Sequence, residues 1–162
     1  MISDQMMASS SAVWQVPSER DWLVVMAEFP TIASQALFDY WTTPALLRRW
    51  WPPEANVEAR VDGIYRFFWP QPGRSLRGYY TAFEPGKNLS FTWKWDSEPD
   101  LAPIRHVIIS FETLPEGGTQ ITIIHGPYSE SRDDQEERAG HLDGWMHFLG
   151  RLQQVLLREE SA

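Results

Sequence analysis

The chain contains no cysteine, so neither a disulfide framework nor a thiolate metal site is open to it, and its redox compartment stays undetermined. No apolar run is long enough to span a bilayer, and the first residues lack the basic start and apolar run of a secretion signal. No membrane insertion and a cytoplasmic location are therefore expected. Positive charge is scarce: 14 Lys and Arg stand against 22 Asp and Glu, a formal charge of -8, which argues against nucleic acid or an anionic membrane as partner. There is no glycine-rich phosphate loop, no nucleophile elbow and no pair of inward carboxylates. What the chain has in excess is rings. Nine Trp, eight Phe and five Tyr in 162 residues are more than one domain of this size needs to fill a core, so either the core is aromatic or a cavity is walled with rings.

The segment from about Asp133 to Arg158 predicts one long amphipathic helix. At about 100° per residue, Leu142, Trp145, Leu149, Leu152 and Leu156 share a stripe flanked by His141, Phe148 and Val155. Asp143, His147, Arg151, Gln154 and Arg158 lie on the far side. Asp133 with Glu136 three residues on marks the start, and Asp134 and Glu137 add negative charge where the helix dipole favours it. So wide a stripe needs a broad cover, and the sequence before it reads mostly as strand.

Residues 1–19 carry a serine run and no sustained period and are expected to be a flexible leader, with Val13, Trp14 and Val16 free to pack; residues 20–158 form a single domain and 159–162 a tail. The nearly unbroken apolar run from Asp21 to Phe29 predicts a strand ended by Pro30. Thr31 then caps a short helix bearing Leu37, Tyr40 and Trp41. Thr43 and Pro44 open a second, bearing Leu46, Leu47 and Trp50 and stopped by Pro52 and Pro53. Trp50 and Trp51 read either as packing beneath the sheet or as a protein contact or cavity gate. Val57, Ala59 and Val61 alternate up to an Asp62-Gly63 turn, and Ile64 to Trp69 returns. The preferred register turns Tyr65, Phe67 and Trp69 inward, because the alternative buries the Arg66 charge. In the next strand Tyr80 and Phe83 have opposite parity, which predicts a bulge near Ala82. Leu89, Phe91, Trp93 and Trp95 alternate cleanly with polar residues, as do Val107, Ile109 and Phe111, and then Ile121, Ile123 and His125. The order is strand, two short helices, six strands and a long helix.

That order resembles the helix-grip arrangement of the START-like (SRPBCC) superfamily, an α+β fold in which a curved antiparallel sheet of about seven strands holds a long C-terminal helix. The residues resemble the branch named after the activator of the heat-shock protein 90 ATPase. They are Phe38-Asp-Tyr-Trp-Thr-Thr-Pro-Ala-Leu-Leu-Arg-Arg-Trp-Trp-Pro52, Arg60-Val-Asp-Gly-Ile-Tyr-Arg66, Gly78-Tyr-Tyr80, Glu84-Pro-Gly-Lys-Asn-Leu-Ser-Phe-Thr-Trp93, Gly118-Thr119, and Gly144-Trp145 with Leu149 and Leu152. The resemblance covers roughly residues 20 to 158. Asp62 departs from it, since relatives commonly carry the first of two glycines there. The namesake also works through an additional N-terminal domain, which the leader here is not expected to replace.

The resemblance implies use of the space between sheet and helix for an apolar or aromatic small molecule. Candidate lining residues are Trp69, Tyr80, Phe91, Trp93, Trp95, His125, His141 and Trp145, weighed against the plainer reading that buried rings at these spacings are only core. Three functions are open. The first is non-catalytic binding of a small hydrophobic or aromatic ligand. The second is an interaction protein, a chaperone cofactor or stress-response partner, as the branch name implies. The third is an enzyme resembling the cyclases and aromatases of the superfamily, with His125, His141 or Tyr80 moving protons. His106 and His147 fall on outer faces, so no metal is expected, and no cofactor is. A homodimer is open, with no stretch that argues for it.

Overall fold

The computed structural model describes residues 12–161, the last two by their backbone alone. Strands β1 (Val13–Val16) and β2 (Leu23–Phe29) are followed by helices α1 (Ser34–Thr42) and α2 (Pro44–Leu47). Strands β3 (Glu54–Val57), β4 (Ile64–Trp69), β5 (Arg74–Glu84), β6 (Asn88–Trp95), β7 (Arg105–Thr113) and β8 (Thr119–Gly126) come next, and helix α3 (Arg132–Ser161) closes the chain. The strands form one open antiparallel sheet in the order β1-β2-β8-β7-β6-β5-β4-β3, with α3 packed against it: the helix-grip fold. Among the described residues no helix is long and apolar enough to cross a membrane.

The sheet has one strand more than the sequence suggests, and it comes from the segment read as leader. Val13 to Val16 pair with Val24 to Ala27 at the sheet edge. A four-residue strand is too short for alternation to show, and it gains its place from the partner's open edge. The leader's first eleven residues lie outside the described ones.

Alternation sets the buried face. Leu23, Val25, Ala27 and Phe29 of β2, Val107, Ile109 and Phe111 of β7, and Ile121, Ile123 and His125 of β8 all turn toward α3. The helix answers with Trp145, Leu149, Leu152 and Val155, each buried, at about 1.5 to 3 kcal/mol per large apolar side chain removed from water. Tyr65 and Phe67 are buried and Arg66 is exposed, the register expected for β4. The β5–β6 ladder shifts between Tyr80 and Ala82, so Phe83 also turns inward and meets Phe38 edge-on at 5.2 Å.

Three local expectations are corrected. The strand before the Asp62-Gly63 turn stops at Val57, and Ala59 and Val61 stay exposed. Glu58 closes the loop early instead: its N–H donates to Ile64 O at 2.9 Å and its Oε1 accepts from Ile64 N at 3.0 Å. Helix α1 starts at Ser34 with Ala33 in the cap position, not from Thr31. Helix α3 is capped by Ser131, whose Oγ accepts from Asp134 N at 3.1 Å, so the cap pair sits two residues before Asp133 and Glu136. Asp134 is drawn away to Ser129 N and Arg105.

Candidate functional site

Between the β4–β6 end of the sheet and the first half of α3 lies a cavity of about 560 Å³. Antiparallel pairing places its walls: Trp69 ends β4 directly opposite Arg74 at the start of β5, and Leu76 of β5 faces Trp95 of β6. Trp93, two residues earlier on β6, shares that face, and Trp51 enters from just beyond α2. Helix α3 supplies Glu137, His141, Trp145 and Phe148 at three- and four-residue spacing, one side of a helix. Five indoles thus surround one space. Trp51 lies nearly parallel to Trp93 at 6.1 Å, and Trp93 is close to perpendicular to Trp95 at 5.6 Å.

Two glycines keep the space open. Gly140 and Gly144 sit on the cavity side of α3, and a Cβ built on either meets nothing within 4 Å. Glycine in a helix interior costs about 1 kcal/mol against alanine, and packing does not demand it here. What both positions do leave is volume.

Behind the aromatic wall is a polar cluster. The Trp145 indole N–H donates to His125 Nδ1 at 3.0 Å, which puts the His125 proton on Nε2, a buried N–H with no acceptor among the described residues. His125 stacks on His141, rings 4.5 Å apart and within 15° of parallel. Trp95 Nε1 donates to His141 Nε2 at 3.4 Å, so the His141 proton sits on Nδ1 and reaches the Tyr128 oxygen at 2.7 Å. Arg105, the buried first residue of β7, lies 4.5 Å over the Tyr128 ring and donates to Pro127 O, Asp134 and Glu137. Glu137 is therefore claimed by Arg105 at 3.1 Å rather than by His141 at 3.6 Å.

Charges follow from that arrangement. Burial, helped by the Arg105 and Arg74 charges, pushes the His141 imidazole down to about 3. Burial and then His141 and Arg105 hold His125 well below the usual histidine range. Burial raises the Tyr128 hydroxyl far above the ordinary phenol value. Both imidazoles and the phenol are neutral at pH 7. Among the described residues no group of His, Asp or Glu is placed to hold a metal ion.

The sequence profile described as Activator of Hsp90 ATPase homolog 1-like protein matches residues 32–157. The chain belongs to this family. No curated protein matches the chain. Among solved structures, protein MLL2253 from Mesorhizobium loti aligns with a TM-score of 0.73 at 23% identity, covering 85% of this chain and 97% of that one. PFC0360w, an Hsp90 activator from Plasmodium falciparum, gives 0.66 at 20% over 83% and 95%. CalU16 from Micromonospora echinospora gives 0.61 at 17% over 87% and 81%. At these identities the likeness is one of fold.

Within this activator-of-Hsp90-ATPase-homolog-1-like chain, five of the residues expected at the site, Trp69, Trp93, Trp95, His141 and Trp145, line the cavity. Tyr80 and Phe91 do not. They pack with Trp41, Trp51, Tyr65 and Phe67 into a part of the core that has no room for water. His125 is fully buried behind His141. Of the three groups weighed as proton carriers, His141 alone reaches the cavity. Arg74, Glu98, Glu137, Gly140 and Phe148 line it beyond the expected set, and so does Trp51, read from the sequence as sheet packing, a protein contact or a cavity gate. Glu137 and Phe148 follow from stepping one turn either way from His141 and Trp145.

Proposed function

We propose that this protein binds a small, largely planar aromatic molecule in the cavity between the sheet and α3, without chemical conversion of it. The observation that carries the reading is the combination of about 560 Å³ of space, within the range of small-molecule sites, and five indoles around it. Rings at this density supply stacking and edge contacts that a plain aliphatic core would not. The two cavity-side glycines support it further, since they preserve volume where larger residues would fit. Family membership supports binding in general and names no ligand. The test is native mass spectrometry of the purified protein, with release and identification of any passenger, followed by titration of a panel of aromatic molecules against tryptophan emission. A copurified or tightly titrating aromatic is expected. A protein that is clean by mass and silent to the whole panel would overturn the reading.

A second reading, association with the Hsp90 chaperone, is supported by the family and by its Plasmodium falciparum neighbour. Calorimetric titration with Hsp90 checks it, and absence of heat at high micromolar concentration would remove it.

A further inference from the structure

Among the described residues Arg74 is the one arginine lining the cavity, and it is held unusually. Its guanidinium carbon lies 3.7 Å from the centre of the Trp95 ring, while among the described residues the group has no hydrogen bond and no ion pair. Stacking uses the flat face of a guanidinium and leaves its N–H donors free along the edge, in the fork geometry that fits a carboxylate. The two acids that share the cavity are engaged elsewhere: Glu98 Oε2 accepts from the Trp95 backbone N–H at 3.1 Å, and Glu137 is bonded to Arg105. The charge of Arg74 is also felt inside, since it contributes to lowering the His141 pKa across the cavity.

Resting on the aromatic-ligand reading, we propose that the cavity selects aromatic molecules bearing a carboxylate, with the rings among the indoles and the acid group bound bidentately by Arg74 at the mouth. The indole wall orders the guanidinium before the ligand arrives, so little side-chain entropy is lost on binding. A carboxylate also replaces the water that solvates the exposed arginine edge, whereas a neutral analogue leaves that cation partly covered and without a strong acceptor.

The test is calorimetric titration at low ionic strength with three probes of one shape: 2-naphthoate, 2-naphthamide and 2-naphthylmethylammonium. The acid is expected to bind roughly tenfold or more tightly than the amide, and the ammonium most weakly. Arg74→Gln is expected to bring acid and amide together, chiefly by weakening the acid, and Arg74→Lys to restore only part of the preference because a point charge cannot fork. An acid no tighter than the amide, a preference that survives Arg74→Gln, or an ammonium that binds best would each overturn the proposal while leaving the aromatic cavity standing. If none of the three binds, the cavity reading fails and this inference with it.

Discussion

Gly78 shows how a single missing side chain sets the wall beside the site. A Cβ there would lie 2.3 Å from Thr92 O, the oxygen that accepts the Tyr65 hydroxyl at 2.6 Å. Gly78→Ala is therefore expected to lower stability by about 1 to 3 kcal/mol, the cost of overpacking against backbone, measured by urea unfolding. Arg105 is the other decisive residue. With its guanidinium gone, Glu137 is released to face His141 Nε2, now 3.6 Å away, and a nearby positive charge is lost. Both changes favour the imidazolium, so Arg105→Gln is expected to raise the His141 pKa above about 3, followed by NMR titration of the ring protons. An unchanged titration would show that burial and the Arg74 charge hold it down without Arg105. Asp62 adopts a φ of 65°, and aspartate is among the few residues that tolerate this left-handed region.

At the scale of elements, α3 was legible because its stripe spans many turns, and β6 because every odd residue is large. The site was less so, for identifiable reasons. Arg105 has the same parity as Val107, Ile109 and Phe111 and so faces inward with them, but its charge argues for the surface unless Asp134, Glu137 and the Tyr128 ring are known to meet it. Tyr80 and Phe91 face inward as expected, yet which inward rings border empty space depends on the tilt of α3 and on the bulge in β5, and alternation carries neither. Helix α3 is also fixed by bonds from polar side chains. Gln153 Nε2 donates to Glu28 O at 3.0 Å, and Arg138 donates twice to Trp22 O, so both ends of the helix are tied to β2 and the turn before it. Ala12, the residue just before the extra edge strand, gives Gln153 its other acceptor, through its carbonyl oxygen at 3.3 Å.

For the whole molecule, two neutral buried histidines link stability to acid. The folded pKa of His141 lies near 3 and its unfolded value near 6.5, so between them the unfolded chain binds the extra proton. Stability is then complete above about pH 6.5 and falls as the pH drops toward 3, by up to about 1.4 kcal/mol per pH unit for this one group, with His125 acting in the same direction. Urea midpoints measured from pH 8 to pH 5 are expected to fall below pH 6.5, and to fall less in His141→Gln. A flat profile would show that the pair accepts a proton when folded.

If the indole-walled space is a binding site and not slack in an aromatic core, filling it from Gly144 must abolish binding. Leucine at this position grows into open space and removes a helix-interior glycine, so Gly144→Leu is expected to keep or slightly raise stability, by up to about 1 kcal/mol. Calorimetric titration of the wild-type protein and this variant with 2-naphthoate is the measurement to make. Binding to the wild type, and its loss in a folded, equally stable variant, is the expected result. Equal binding by both proteins would contradict it.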